Sequence, residues 1–275
     1  MNKGQLIGEG NTAEVYAWGD NEVLKLFRKE FYLEGIEKEY SISKKINESG
    51  LPNPKVDKLI EVDGRMGIVY ERIQGKSMLN SITMMPWSVG KDAKRLAEMH
   101  YRIHQCKLYG LPKQKEAMEK SINYTELLPD EIKQDIIKVL KRLPEGEVLC
   151  HGDYHPGNII VHSDKEIVLD WMTATSGNAA ADVARTLHIL KDASLPNGMP
   201  FMIKILAKIL RSRLTSLYLK HYRRLSGLSL EEIELWRLPI AAARLIEWVP
   251  EDEKKFLLKL IEKKLKAKNL KTMTL

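Results

Sequence analysis

The apolar residues of this chain change their spacing at Gly75, and this change constrains the fold more than any other feature of the sequence. Before Gly75, short apolar runs such as 14–18 and 23–27 end at turn residues, which is typical of paired strands. After Gly75, apolar residues recur at helical spacing, as in 89–104 and 131–143, while the polar stretch between these two gives no prediction. The pattern predicts an α+β fold.

The same change predicts how the chain is divided. We expect a small β-rich lobe over residues 1–75, with a hinge at about 71–75, and a larger lobe over 76–275. Short β-rich runs return at 148–171, so we expect a small β insert in the second lobe. Everything after Asp182 is predicted to be helical.

Composition excludes several classes of protein. Two cysteines among 275 residues cannot form a disulfide framework, which favours a reduced, cytoplasmic chain. The most apolar stretch, 202–210, is interrupted by Lys204 and Lys208, so no membrane span is expected. The first ten residues lack the apolar core of a secretory signal.

The net charge of +7 comes from one terminal segment. Residues 254–275 contain eight Lys and one Glu, so the remaining 36 basic and 36 acidic groups balance. Apolar residues fall at helical spacing between these lysines: Phe256, Leu257, Leu260, Ile261 and Leu265. This pattern favours a docked amphipathic helix with solvated lysines over a nucleic-acid-binding tail, and no nucleic-acid partner is expected.

The strongest signal for chemistry is the loop His151-Gly-Asp153-Tyr-His155-Pro-Gly-Asn158. Two short apolar strands about a Ser163-Asp164 turn follow it, and Asp170 ends the second strand. This arrangement suits phosphoryl transfer, in which one carboxylate orients or accepts the proton of an attacking hydroxyl. An amide oxygen and a second carboxylate can hold Mg²⁺ against nucleotide phosphates.

These residues resemble the aminoglycoside phosphotransferase family, which includes choline-kinase-like and other small-molecule kinases. The family loop H-G-D-x-H-x-x-N matches 151–158, and its apolar-D-W segment matches Leu169, Asp170 and Trp171. The resemblance implies a two-lobed, protein-kinase-like fold. It also implies ATP or GTP as phosphate donor, Mg²⁺ as cofactor and a small hydroxyl-bearing acceptor.

The resemblance assigns roles within the loop. Asp153 is similar to the family's catalytic base, and Asn158 and Asp170 to its metal ligands. His155 stands where protein kinases have a phosphate-contacting lysine, so it either assists electrostatically or braces the loop. His151 is expected to brace the loop backbone.

Weaker signals in the first lobe concern the nucleotide. Gly8 and Gly10 resemble the kinase glycine-rich loop, whose backbone approaches phosphates, although Ala13 replaces the third glycine and a simple hairpin stays open as an alternative. The segment from Glu71 to Ile73 resembles the family hinge. Main-chain groups of these two residues are the candidates for binding adenine.

Lys25 lies inside an apolar strand, where lysine is rare unless it is paired or functional. By resemblance it contacts the nucleotide phosphates and pairs with a glutamate of the predicted helix 31–46. Glu39 is the preferred partner, with Glu37 and Glu34 as alternatives. A solvated helix face without such a pair also stays open.

Two further features have structural and functional interpretations. Asp182 either anchors the catalytic loop, as in the resembling family, or caps the helix predicted over 183–190. His100 and His104 are interpreted as packing and hydrogen-bonding residues, because the sequence shows no third ligand for a metal pair.

The sequence favours a small-molecule kinase over a protein kinase. It has no Ala-Pro-Glu motif, and helix resumes about thirteen residues after Asp170. A non-catalytic nucleotide-binding or scaffolding module is the alternative from another class. Such modules usually lose a catalytic group, whereas Lys25, Asp153 and Asp170 are all present. The oligomeric state is left open.

The charge of the acceptor is also left open. Residues 230–253 hold seven acids and two arginines, and helix caps account for most of these acids. Glu234 and Glu247 lack that explanation, and Trp236 lies between them. Carboxylates beside an indole face favour a cationic acceptor, with a neutral sugar-like or nucleoside-like alcohol as the alternative.

Overall fold

The computed structural model of the chain describes residues 3–162, 165–192 and 200–272. Contacts divide the chain into two compact units, the first made of 1–85 and 156–174 and the second of 86–155 and 175–275. The first unit extends past the boundary predicted at residue 75, because the segment after residue 156 pairs with the strand that follows Gly75.

The strands are β1 (Lys3–Glu9), β2 (Ala13–Trp18), β3 (Glu22–Phe27), β4 (Val56–Val62), β5 (Arg65–Glu71), β6 (Lys76–Ser77), β7 (Val148–Cys150), β8 (Ile159–His162), β9 (Lys165–Val168) and β10 (Thr175–Gly177). The α-helices are α1 (Leu33–Glu48), α2 (Met78–Met84), α3 (Val89–Ile103), α4 (Gln114–Tyr124), α5 (Asp130–Arg142), α6 (Ala179–Asp192), α7 (Phe201–Ser226), α8 (Leu230–Leu235), α9 (Arg237–Ala243) and α10 (Glu251–Thr272). An N-terminal β-rich part followed by a mainly helical part confirms the predicted α+β class.

The first unit is built on a five-stranded antiparallel sheet in the order β1-β2-β3-β5-β4. Two of its hairpins turn at residues that adopt left-handed backbone, Gly19 (φ 61°) in one and Asp63 (φ 52°) with Gly64 (φ 67°) in the other. The runs 14–18 and 23–27, predicted as paired strands, pair with each other on either side of the Gly19 turn.

The two faces of this sheet carry separate apolar clusters. Leu24 and Leu26 lie in one cluster, whereas Phe27 packs with Ile36 of α1 in the other. Since side chains alternate along a strand, Lys25 shares the face of Phe27 and is directed toward α1. The strand period therefore places this lysine beside the helix that was predicted to supply its partner.

A second, three-stranded sheet in the first unit has the order β6-β8-β9. Gly75 precedes it with φ 143°, and a Cβ at this position would lie 2.6 Å from the carbonyl oxygen of Val161. The close approach of the two backbones explains why glycine is needed here. The turn predicted at Ser163-Asp164 lies outside the described residues.

In the second unit, α4, α5, α6 and α10 all contact α9, whereas α7 packs against α3. Leu96, Ala97 and Ile103 on the apolar face of α3 are fully buried, and α7 makes its most extensive packing contact with α3. The short strands β7 and β10 pair antiparallel, and the loop that carries His151 follows directly after β7. α6 begins at Ala179, earlier than the predicted 183–190, because Asn178 caps it by accepting the Ala180 N–H at 2.9 Å.

The C-terminal helix α10 is docked and amphipathic, as predicted. Leu257 and Ile261 are buried, whereas Lys259, Lys263 and Lys266 are exposed. The basic charge of this segment thus lies on the solvated face of a packed helix. No helix in the described ranges is both long and apolar enough to cross a bilayer.

Candidate active site

Lys25 forms the centre of a buried charge cluster in the first unit. Its Nζ atom lies 2.7 Å from Glu39 Oε1 and 3.0 Å from Asp170 Oδ1. Of the three glutamates considered from the sequence, Glu39 is therefore the one that α1 presents to the lysine. Burial lowers the pKa of Lys25, but the carboxylates of Asp170 and Glu39 outweigh it and hold the pKa above its ordinary value.

Sequence reasoning missed a second contact of Glu39. The hydroxyl of Tyr70 donates to Glu39 Oε1 at 3.1 Å, and Ser43 lies 3.0 Å from the same hydroxyl. Glu39 is 1% exposed, so these contacts reduce the cost of burying its charge. Tyr70 ends an apolar strand, and nothing in its local sequence distinguishes it from an ordinary core tyrosine.

Asp170 adopts an unusual backbone conformation at the end of the β8–β9 hairpin. Its φ of 59° places it in the left-handed region, which asparagine and aspartate tolerate better than other non-glycine residues. The neighbouring Leu169 N–H donates to the Asn158 carbonyl at 2.8 Å, so the two ends of the hairpin are tied together. The Asp170 carboxylate is 41% exposed and accessible to a ligand.

Asn158 and Asp170 offer an amide oxygen and a carboxylate. Mg²⁺ prefers such hard oxygen donors and is usually held by one or two carboxylates together with substrate phosphates. The pair therefore fits the cation that the resemblance implies. Lys25 Nζ also donates to the Asp170 carboxylate, at 3.0 Å.

The loop between β1 and β2 is braced by Arg28, which sequence reasoning did not identify. Its guanidinium donates to the carbonyls of Gly10 and Asn11, each at 3.1 Å. A Cβ on Gly10 or on Gly8 would meet its nearest neighbour at 3.6 or 3.7 Å, which is ordinary contact. The fold itself therefore does not require glycine at these two positions.

At the predicted hinge, one main-chain group already has a hydrogen-bond partner. The Glu71 N–H donates to the carbonyl of Lys55 at 2.8 Å, so a contact from Glu71 to an adenine would have to use its carbonyl. Glu71 is exposed and Ile73 is half-buried. This geometry does not test whether their main-chain groups bind the base, so those contacts stay a prediction.

The predicted catalytic loop follows β7 in the second unit. His151 is fully buried, and its Nδ1 accepts the Asp153 N–H at 3.2 Å, as expected for a residue that braces the loop. Tyr154 is also buried and donates its hydroxyl to the Leu96 carbonyl at 2.8 Å. Asp153 lies between these two anchors in the chain, and His155 follows the second. The Asp153 side chain is 34% exposed and that of His155 is 27% exposed.

The electrostatics of the loop favour the ionised form of Asp153. Burial raises the pKa of this carboxyl, but the His155 imidazole, 3.6 Å away, and the charge of Arg185 outweigh it. The pKa of Asp153 therefore lies well below its ordinary range. The carboxylate is anionic throughout the neutral range.

Asp182 anchors the loop and does not cap a helix. It lies inside α6, and its two carboxylate oxygens accept the N–H groups of His151 at 2.6 Å and Gly152 at 2.9 Å. One turn further along α6, the guanidinium of Arg185 donates to the Gly152 carbonyl. Arg185 has no motif around it, so sequence reasoning did not find it.

The structure corrects the interpretation of His100 and His104 in one respect, because Asp182 supplies a third potential metal ligand. Both Nε2 atoms lie near Asp182 Oδ2, at 3.1 and 3.2 Å. Among the described residues, these form the one group of three or more His, Cys, Asp or Glu side chains whose ligand atoms lie close enough together to share a metal ion. A carboxylate only accepts, so each Nε2 carries a proton. Burial keeps His100 neutral, so its Nδ1 accepts from the Tyr218 hydroxyl, and His104 Nδ1 lies 2.5 Å from the Tyr222 hydroxyl. The cluster thus satisfies its own hydrogen bonds.

The three residues suggested for acceptor binding have other partners. Trp236 is 1% exposed and lies in the core, so its indole offers no face to a ligand. Glu234 pairs with Arg237 at 3.3 Å and with Lys264 at 2.9 Å. Glu247 bridges two arginines, Arg185 at 2.6 Å and Arg244 at 2.8 Å. The argument for a cationic acceptor assumed unpaired acids and an open indole, and this geometry removes that assumption.

Comparisons with known proteins agree on one fold. A family model described as "Phosphotransferase enzyme family" (APH) matches residues 3–228. Among solved structures, the chain is similar to an aminoglycoside-3'-phosphotransferase of type VIII, with a TM-score of 0.60 and 14% identity over 87% of this chain and 91% of that one. It is also similar to APH(2'')-IIa in a ternary complex with streptomycin and ATP, with a TM-score of 0.58 and 13% identity over 95% and 91% of the two chains.

A third similar structure is the amicoumacin kinase hAmiN in complex with AMP-PNP, Ca²⁺ and Ami. Its TM-score is 0.56, with 17% identity over 94% of this chain and 86% of that one. No curated protein sequence matches the chain. At these identities the likeness establishes a shared fold, which confirms the predicted fold class.

The buried His100 predicts how stability depends on pH. Burial lowers its pKa from 6.5 to about 3, so the folded chain keeps it neutral while the unfolded chain takes up a proton. The free energy of unfolding should therefore fall as the pH drops below about 6.5, by up to about 1.4 kcal/mol per pH unit from this group. Urea denaturation at pH 7.0, 6.0 and 5.0 measures this slope.

Two variants identify the source of that slope. His100→Gln should flatten it, whereas His162→Gln, which replaces an exposed histidine, should leave it unchanged. Equal slopes for His100→Gln and the unaltered protein would show that His100 is not held neutral by the fold.

Proposed function

Because the chain belongs to the phosphotransferase enzyme family, as its motifs predict, we propose that it transfers the γ-phosphate of a nucleoside triphosphate to a hydroxyl group of a small molecule. The observation that supports this most is the placement of Lys25 Nζ between Glu39 and Asp170, at 2.7 and 3.0 Å. A lysine that is 14% exposed is costly to bury without a function for its charge. The cluster prepares a fixed cation and an accessible carboxylate for nucleotide phosphates and their metal ion.

Asp153 is proposed as the group that receives the acceptor's proton. As the hydroxyl oxygen bonds to the γ-phosphorus, the bond from that phosphorus to the β–γ bridging oxygen breaks and the nucleoside diphosphate leaves. The hydroxyl proton passes to the Asp153 carboxylate. Because the pKa of Asp153 is low, this carboxylate is a weak base that mainly orients the hydroxyl and takes the proton late in the step. The His155 imidazole lies 3.6 Å from this carboxylate and is proposed to assist it.

Asn158 and Asp170 are proposed to hold Mg²⁺, which they fit by donor type. When bound, the cation neutralises charge on the phosphate oxygens. Lys25, which contacts the same carboxylate, would share that task, and Glu39 with Tyr70 keeps the lysine in place.

The nucleotide is proposed to lie against the β1–β2 loop and the hinge. The Gly10 N–H donates to the Ala13 carbonyl at 2.8 Å, so other backbone N–H groups of this loop would approach the phosphates. Main-chain groups of Glu71 and Ile73 would bind the base, and both ATP and GTP suit such contacts.

The proposed acceptor is a small hydroxyl compound. Glu234 and Glu247 are neutralised by arginine and lysine, so they no longer favour a cationic acceptor over a neutral one. The similar structures bind streptomycin or Ami, so amine-bearing alcohols are the first compounds to test, with neutral sugars as the matched series.

Asp153→Asn should leave folding and nucleotide binding nearly intact and lower turnover about 10²–10⁴-fold, because the amide cannot take the proton. Nucleoside diphosphate release in the presence of acceptor measures the effect. Asp135→Asn, which changes an exposed aspartate of α5, is the matched control and should keep full activity. Retention of more than a third of the rate in Asp153→Asn would refute the assignment.

Asp170→Asn should abolish the increase in nucleotide affinity that Mg²⁺ produces, because it removes the anionic ligand while the asparagine keeps the left-handed backbone. Calorimetry with and without Mg²⁺ measures this. Asp63→Asn is matched in both chemistry and backbone, since Asp63 also has a positive φ of 52°. A Mg²⁺ effect of equal size in both variants would contradict the role of Asp170.

A further inference from the structure

The peptide group that joins Gly152 to Asp153 is hydrogen-bonded at both of its ends. Its oxygen accepts a hydrogen bond from Arg185 Nε, and its N–H donates to His151 Nδ1 at 3.2 Å. The Asp153 side chain branches from the atom directly after this peptide. The plane of the peptide therefore sets the direction in which the carboxylate is presented.

Without these two hydrogen bonds the peptide could rotate. Gly152 has a φ of 79°, in the left-handed region, and glycine crosses between backbone conformations at little cost. The Gly152 N–H is fixed by Asp182 at 2.9 Å, but that bond lies on the other side of the glycine. The hydrogen bond from Arg185 to the Gly152 carbonyl oxygen thus restrains the peptide group between Gly152 and Asp153.

Arg185 is itself held rigidly. It lies three residues after Asp182 on the same face of α6, and its Nη1 is 2.6 Å from Glu247 Oε1. The other oxygen of Glu247 lies 2.8 Å from Arg244, which in turn contacts the buried Glu253 of α10 at 2.8 Å. A guanidinium fixed by a carboxylate on one side keeps its remaining donors in a defined direction.

We infer that Arg185 is a positioning residue for Asp153 and that Glu247 acts by holding Arg185, not by binding the acceptor. The inference rests on the proposed function only in taking Asp153 as the group that receives the proton. It explains why an arginine, with several donors in one plane, is placed here: one donor serves Gly152 while another serves Glu247.

Selective labelling makes this peptide directly observable. Gly-Asp occurs twice in the sequence, at Gly19-Asp20 and Gly152-Asp153. Protein carrying ¹³C-carbonyl glycine and ¹⁵N-aspartate therefore gives two carbonyl–amide correlation peaks. The peak that Asp153→Asn removes is the one from the loop, and the exposed Gly19-Asp20 turn is an internal reference.

Arg185→Met should shift the Gly152 carbon resonance to lower frequency or split the loop peak, because the carbonyl loses its donor. Arg185→Lys should recover part of the shift, and Glu247→Gln should cause a smaller change than Arg185→Met. Arg237→Met, which removes another Arg–Glu contact of the same unit, should leave both peaks in place. An unchanged loop peak in Arg185→Met would overturn the inference.

Turnover separates positioning from general structural support. In Arg185→Met, kcat should fall on the order of 100-fold while the Kd for the Mg²⁺ complex of AMP-PNP changes less than about 2-fold, and Arg185→Lys should restore part of kcat. A shifted loop peak with unaltered kcat would also overturn the inference. If the unaltered protein transfers phosphate to no hydroxyl compound, the proposed function fails, and the loop peak still decides whether Arg185 orients Asp153.

Discussion

The buried carboxylate of Asp182 is the interaction on which the organisation of the second unit depends. It accepts the N–H groups of His151 and Gly152 and lies next to the Nε2 atoms of His100 and His104. Burial raises the pKa of Asp182, but the hydrogen bonds from both histidines outweigh it and hold the pKa far below the ordinary value. A charge buried with this many donors is stable only when all of them are in place, so the loop, α3 and α6 are fixed together.

The sequence predicted elements whose signals are local. Lys25 could be assigned because a charged residue inside an apolar strand needs a partner, and the strand period directs it toward α1. The helix at 114–124 was missed because its residues are mainly polar and only Gln114 and Ile122 are buried. Its position is set by packing on the rest of the second unit, which no local pattern records.

The residues that sequence reasoning missed or misplaced act through contacts distant in the chain. Tyr70 and Glu39 are 31 residues apart, and Arg185 and Gly152 are 33 apart. Trp236 could not be placed in the core from its own segment, because the acids around it suggested an open surface. The pairing of Glu247 with Arg185 is visible only in the fold, which places the two side chains 2.6 Å apart. Motifs thus indicated which groups carry chemistry, whereas their supports required the three-dimensional structure.

The central claim is that this chain moves phosphate from a nucleotide to a small hydroxyl compound. ³¹P NMR of the protein with Mg²⁺, ATP or GTP, and a matched panel of amine-bearing and neutral alcohols tests it most directly. The account predicts a new phosphomonoester resonance for at least one acceptor, formed as the γ-phosphate resonance declines. Tight nucleotide binding without any phosphomonoester across the panel would contradict it. Phosphate transfer only to a second protein, added as a substrate in place of the alcohols, would contradict it as well.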